Sequence, residues 1–226
     1  TLVYVGGNAT IGTATTVSGD ALYGVKAGCV LGAGNGNEDY KNNGTGQVDN
    51  SHIIIDASAH ILSNVYGGGN YGIVGDSGAT TAISKIDILG GTIDQNVYGG
   101  ANENNIYGST TINVKGGQVK GAVYGGSNTS GTISTTTTIN VSGGTLGQSS
   151  TTSNAVLFGG GYGSSTTVSQ NSTVNILDTD GNVEIYGNAY GGSAQGTITG
   201  NTVVFIQDLP NTSRSEERRV GKECRS

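Results

Sequence analysis

Residues 88–126 read ILGGTIDQNVYGGANENNIYGSTTINVKGGQVKGAVYGG, and one pattern occurs in them twice. Ile88-Leu89-Gly90-Gly91-Thr92-Ile93 leads to Val97-Tyr98-Gly99-Gly100, and Val114-Lys115-Gly116-Gly117-Gln118-Val119 leads to Val123-Tyr124-Gly125-Gly126. In both copies the first apolar residue lies ten positions before the Tyr, and the second lies five before it. Between the copies, Thr110-Thr111-Ile112-Asn113-Val114 alternates with period two and is rich in β-branched residues, which is the signature of a strand.

Moving outward, Val141-Ser142-Gly143-Gly144-Thr145-Leu146 opens a third copy that reaches Phe158-Gly159-Gly160. Tyr124 follows Tyr98 by twenty-six positions and Phe158 follows Tyr124 by thirty-four, the longer interval carrying one extra residue before the Gly pair and seven after Leu146, in the insertion GQSSTTSN. That insertion has loop composition, and loops are where solenoids accept extra residues. Ile61 precedes Tyr66-Gly67-Gly68, and Ile185 precedes Tyr190-Gly191-Gly192, by the same five positions. Leu22-Tyr23-Gly24 reads as a degenerate early member. A period of 26 to 34 residues with short strands and Gly corners is what one coil of a β-solenoid requires. Stacked coils line up Ile on Ile and Tyr on Tyr about 4.8 Å apart. A β-sandwich, the alternative, expects turns about every 8–12 residues. It has no reason to repeat Tyr-Gly-Gly at a fixed distance from Gly-Gly.

Composition points the same way. The 226 residues include 42 Gly, one Pro, no Met and no Trp, with 12% charged residues. An ordinary domain carries about 25% charged residues and about 7% Gly, so a typical helical enzyme core is excluded. The 18 Ile and 20 Val against 9 Leu favour strands. Leu, Ile, Val and Phe total 49, near the limit for building a core, so order depends on their being patterned, as they are.

The formal charge of −6 combines two unlike segments. All four Arg (214, 218, 219 and 225) fall within the terminal segment 214–226, which carries +2, whereas residues 1–213 carry −8. The run RSEERRVGKECRS at 214–226 resembles translated read-through of a sequencing adapter and is set aside as non-native. With Thr1 first and no Met, the chain is expected to be a fragment. Setting the tail aside removes Cys224 and leaves Cys29, in AGCVLG, as a small apolar residue with only Lys26 near it in sequence. The expected organisation is degenerate N-terminal coils over 1–49, solenoid repeats over 50–208, the end of the native sequence at 209–213, and the tail at 214–226.

Residues 50–208 resemble the Gly-rich repeats of bacterial cell-surface proteins: adhesin-like autotransporter passengers and giant repeat proteins of anaerobes. Gly90-Gly91-Thr92-Ile93, Gly116-Gly117-Gln118-Val119 and Gly143-Gly144-Thr145-Leu146 are similar to the Gly-Gly-x-aliphatic motif of the polymorphic outer-membrane proteins, whose companion Phe-x-x-Asn motif is absent here. The resemblance implies an all-β, right-handed parallel β-helix at an extracellular bacterial surface. It also implies a structural and adhesive role towards a host or cell-surface glycan or protein.

Enzymatic readings find little support. Lyases of the pectate type use an Arg base, and residues 1–213 have no Arg. Asp178-Thr179-Asp180-Gly181 resembles the Asn-Thr-Asp-Gly motif of polygalacturonases, but the companion motifs do not follow. Ile176 lies four positions farther from Tyr190 than the ten of the clean copies, which makes this segment a corner insertion of turn residues. The oxygen-ligand spacing Asp178, Asp180, Asn182 lacks the closing Glu, and Gly32–Asp39 is a single acidic loop. His52 and His60 have no Cys or carboxylate cluster at ligand spacing and read as strand residues facing solvent. Gly67-Gly68-Gly69 lacks the Lys and helix of a phosphate loop, and the acidic balance disfavours nucleic acid. No apolar run long enough for membrane insertion is present. The chain is therefore expected to be non-catalytic, with no cofactor or metal residues. The alternative is a carbohydrate-binding or glycoside hydrolase-like β-helix, in which Tyr66, Tyr98, Tyr124 and Tyr190 would form either an exposed sugar platform or a core ladder.

Overall fold

The computed structural model describes residues 1–12, 28–36, 46–149, 155–178 and 181–208, and among these the chain is all β, with no helix. The first turn holds β1 (Leu2–Val5), β2 (Thr10–Ile11) and β3 (Val30–Leu31). The second holds β4 (Ser51–Ile55), β5 (His60–Ile61) and β6 (Val65–Tyr66), and the third β7 (Ala82–Ile88), β8 (Thr92–Ile93) and β9 (Val97–Tyr98). Next, β10 (Gly108–Val119) runs through its Gly-Gly corner and is followed by β11 (Val123–Tyr124) and β12 (Ser130–Ile133). The following turn comprises β13 (Thr137–Gly147), β14 (Ala155–Phe158) and β15 (Ser165–Val168). The last full turn comprises β16 (Ser172–Asp178), β17 (Val183–Tyr186), β18 (Asn188–Tyr190) and β19 (Thr197–Ile198), after which β20 (Thr202–Asp208) opens another.

Every named strand pairing is parallel, and sequence neighbours do not pair. The long face runs β1-β4-β7-β10-β13-β16-β20, a second runs β18-β14-β11-β9-β6-β3, and a third runs β12-β15-β19. This is the stacking of a parallel β-helix. A sandwich built from hairpins would show antiparallel neighbours instead.

Register is held by columns of like side chains. Val3, Ile53, Ile86, Ile112, Ile139, Val174 and Val204 lie over one another on the long face. After the first turn, the intervals between successive members match the coil period of the sequence to within one position. Leu31, in Val30-Leu31-Gly32, occupies the column that begins the aromatic series by pairing with Tyr66. Leu22-Tyr23-Gly24 lies outside the described residues.

The inward columns form one apolar core along the solenoid, in which Ile53, Ile86, Ile112 and Ile139 are fully buried. A second cluster, around Val74, Ala101, Ile106 and Ile133, fills the part of each coil that follows the aromatic residue. Burying each such side chain stabilises by roughly 1.5–3 kcal/mol.

The two Gly pairs of each repeat have different physical reasons. At the first corner, Gly91, Gly117 and Gly144 sit at φ of 79°, 74° and 87°, in left-handed backbone. After the aromatic residue the constraint is space: a Cβ on Gly99 would stand 2.3 Å from the Gly125 carbonyl oxygen, and one on Gly125 would stand 2.1 Å from that of Gly159. Near the C-terminal end, Val183 N–H donates to Asp178 Oδ1 at 3.2 Å.

Candidate binding surface

The Thr-Thr doublets of the sequence divide between the two faces of the long sheet. Alternation turns Thr110 and Thr137 inward, fully buried, and Thr111 and Thr138 outward. The inward hydroxyls form a structural series. Ser51 Oγ donates to Gly67 O, Ser84 to Gly99 O, Thr110 to Gly125 O and Thr137 to Gly159 O, at 2.6–2.7 Å, tying the long face to the corner after the aromatic residue. The Ser172 hydroxyl, next in the series, is buried with no hydrogen-bond partner among the described residues.

On the outer face the repeat Thr-x-Asn places Thr111, Thr138 and Thr173 in one column and Asn113, Asn140 and Asn175 in the next. All six side chains are partly exposed. The amides are ordered along the axis: Asn175 Nδ2 donates to Asn140 Oδ1 and Asn140 Nδ2 to Asn113 Oδ1, both at 2.8 Å, and Asn113 Nδ2 donates to Asp87 Oδ1 at 2.7 Å. Each intermediate Asn uses one N–H and one lone pair in the ladder, which leaves one of each for a ligand. The result is a neutral mesh of hydroxyls and amides, about 4.8 Å by about 6.6 Å, on a rigid sheet.

The ladder ends on a charged cluster. Asp87 Oδ2 lies 2.6 Å from His52 Nε2 and 2.8 Å from Lys85 Nζ. Burial raises the Asp87 carboxyl, but hydrogen bonds from Lys85, Asn113 and His52 outweigh it and hold the group at about 2. A second cluster stands beyond the corner, where Asp94 meets His60 at 3.0 Å and Lys120 at 2.7 Å. Burial again opposes ionisation there, and Lys120 and His60 outweigh it, leaving Asp94 below its ordinary value. The histidines thus sit at the sheet surface, and each has a carboxylate partner that the sequence reading missed. Each partner is one coil along the chain, so local spacing could not reveal it. The Asn ladder did have a visible signal: Asn at the same place in TTINV, TTINV and STVNI.

From Tyr66 to Phe158 the aromatic column is a buried ladder, and Tyr190 at its end is exposed. Tyr66, Tyr98, Tyr124, Phe158 and Tyr190 stack with centroids 5.0–5.1 Å apart and interplanar angles of 7–13°. Tyr66, Tyr98 and Tyr124 are buried, on the side of their strands opposite the main core. Asn64 and Asn96 donate to the hydroxyls of Tyr66 and Tyr98 at 3.0 Å. Burial pushes these two hydroxyls well above the ordinary phenol range and lifts Tyr124 to about 12. With both ring faces stacked on neighbours, Tyr98 and Tyr124 have none free for a sugar, which removes the exposed-platform reading for the buried part of this stripe.

The remaining residues singled out by sequence are not brought together. Cys29 Sγ donates to Ser63 Oγ at 3.2 Å, and Lys26 lies outside the described residues. So do Thr179 and Asp180 of the hydrolase-like motif and Asn37, Glu38 and Asp39 of the acidic loop. Among the described residues no three His, Cys, Asp or Glu side chains group as a metal site, and no helix is long and apolar enough to cross a membrane.

No family model matches this chain, and no curated protein or solved structure matches it. The parallel β-helix is therefore established by the strand pairing of the chain itself.

Proposed function

We propose that the chain is a non-catalytic structural and adhesive module of an extracellular bacterial surface, which presents its outer sheet face to host or cell-surface glycans or proteins. The observation that carries this reading is the Thr-x-Asn mesh: a neutral polar surface whose amides are ordered before any partner arrives. Such order lowers the entropy lost on binding. The mesh offers donors and acceptors at a fixed spacing, which suits a ligand that is itself polar and regular. The −8 charge of residues 1–213 disfavours nucleic acid and anionic lipid surfaces as partners.

The test is binding of the labelled chain to cultured host cells and to panels of immobilised glycans and matrix proteins. Saturable binding is expected to fall at least tenfold in the variant Thr111→Lys/Thr138→Lys/Thr173→Lys with its β-sheet circular dichroism intact. Absence of binding across the cells and panels, or equal binding by the folded variant, would overturn the reading.

A further inference from the structure

One exposed aromatic ring stands outside the stacked column. Tyr162 follows β14 and is 43% exposed, although it lies within the stack of coils: the next coil continues over it, with Ala194 N–H donating to Gly161 O at 2.9 Å. Tyr162 and Tyr124 make an edge-to-face contact, with centroids 5.6 Å apart and planes at 71°. Both faces of Tyr124 are already taken, by Tyr98 and Phe158 at 5.0 Å. The edge in this contact is therefore that of Tyr124 and the face that of Tyr162, so the opposite face of Tyr162 is turned to solvent. The backbone beneath the ring is pinned. Tyr162 N–H donates to Ser127 O at 3.0 Å and Gly163 N–H to Asn128 O at 2.7 Å, and a Cβ on Gly163 would stand 2.4 Å from Thr129 O.

Backbone bonds place Tyr162 in a column with Asn70, Asn102 and Asn128. Asn102 N–H donates to Gly69 O, Asn128 N–H to Ala101 O and Tyr162 N–H to Ser127 O, each to the residue before its column neighbour. The amides of this column form a ladder, with Asn102 Nδ2 donating to Asn70 Oδ1 at 2.8 Å and Asn128 Nδ2 to Asn102 Oδ1 at 2.7 Å. In that ladder each Oδ1 takes its hydrogen from the residue one coil on. For Asn128 that residue is Tyr162, whose side chain has no amide to give, so the Asn128 carbonyl oxygen keeps its lone pairs for a ligand. Thr129, exposed and one position farther on, donates its hydroxyl hydrogen to Asn102 Oδ1 at 3.3 Å, which leaves its oxygen as an acceptor as well. An apolar ring face thus stands beside two acceptors. That combination fits a pyranose, which carries C–H groups on a face and hydroxyl donors at its rim.

We propose that Tyr162, Asn128 and Thr129 form a subsite for a neutral sugar: the pyranose lies flat on the outer face of Tyr162 and donates hydroxyl hydrogens to Asn128 Oδ1 and Thr129 Oγ1. The site lies against the second sheet, not on the outer face of the long one, and it stands whether or not the Thr-x-Asn mesh binds. The test is an NMR titration of the full chain with the methyl glycosides of glucose, galactose, mannose and N-acetylglucosamine, the Tyr162 ring signals being assigned from the spectrum of Tyr162→Phe. Those signals are expected to shift saturably with at least one glycoside, and saturation transferred from the chain is expected to fall mainly on the C–H groups of one sugar face. Binding should weaken at least tenfold in Tyr162→Ala, with its β-sheet circular dichroism intact, and persist in Tyr162→Phe, which keeps the ring face. It should also persist in Thr111→Lys/Thr138→Lys/Thr173→Lys, which separates this site from the mesh. No shift with any of the four glycosides, equal binding by folded Tyr162→Ala, or loss of binding in the folded Tyr162→Phe or mesh variant would overturn the inference.

Discussion

Ala57 is the residue that departs from the repeat's own rule. It stands at φ 54° in a corner where later coils use Gly, with its N–H donating to Asp56 Oδ1 at 2.7 Å. Left-handed backbone costs a residue with a Cβ roughly 1–2 kcal/mol, and Gly loses about 0.5–1 kcal/mol of that gain through chain entropy. Ala57→Gly is therefore expected to stabilise the protein by about 0.5–1 kcal/mol, read as a rise in urea midpoint. Gly99→Ala should do the opposite. The added Cβ meets a neighbouring carbonyl oxygen at 2.3 Å and forces adjacent coils apart, so the loss should exceed the ~1 kcal/mol of an average substitution. Asp87 supplies a pH signature. Its folded value of about 2 lies below the ordinary 3.8, so the stability it contributes is present above pH 4 and is lost as pH falls through 2. Thermal melts from pH 5 to pH 2 should show a shallower decline in Asp87→Asn, which has no carboxyl to protonate, than in the unaltered chain. Equal slopes would assign the acid loss elsewhere.

Among the elements, the short strands carry the identity of each coil. Tyr98 is held between two parallel rings and bonded by Asn96, and Tyr98→Ala should cost about 3–5 kcal/mol. Asn140→Ala interrupts an exposed ladder instead, removing two hydrogen bonds at about 0.5–1.5 kcal/mol each. A denaturation series that ranked the two in the reverse order would contradict the assignment of Tyr to core and Asn to surface. These elements also show what was legible in the sequence. The matched intervals from Gly-Gly to Tyr revealed the coil and its period, because a solenoid repeats the same corner at the same distance. Which way the Tyr rings face was not legible, since a two-residue strand has no alternation to read. Nor were the pairings of Asp87 with His52 and of Asp94 with His60, because each histidine comes from a neighbouring coil at a separation set by insertions elsewhere in the loop.

At the scale of the whole molecule, every strand pairing joins adjacent coils, so stability accumulates from coil to coil. The seven strands of the long face rise over roughly 30 Å at about 4.8 Å per strand. Their side chains are ordered into columns whose inner members hold the rod together and whose outer members form the mesh proposed for attachment. The binding reading depends on that parallel, in-register stacking. Methyl-resolved nuclear Overhauser contacts on Ile- and Val-labelled protein test it most directly. The stacking requires an unbroken series Ile86 to Ile112, Ile112 to Ile139 and Ile139 to Val174, matched by Ile88 to Val114, Val114 to Val141 and Val141 to Ile176. Contacts that run in opposite directions along the two series, pairing Ile86 with Val114 and Ile88 with Ile112, would mean antiparallel strands and would contradict the account.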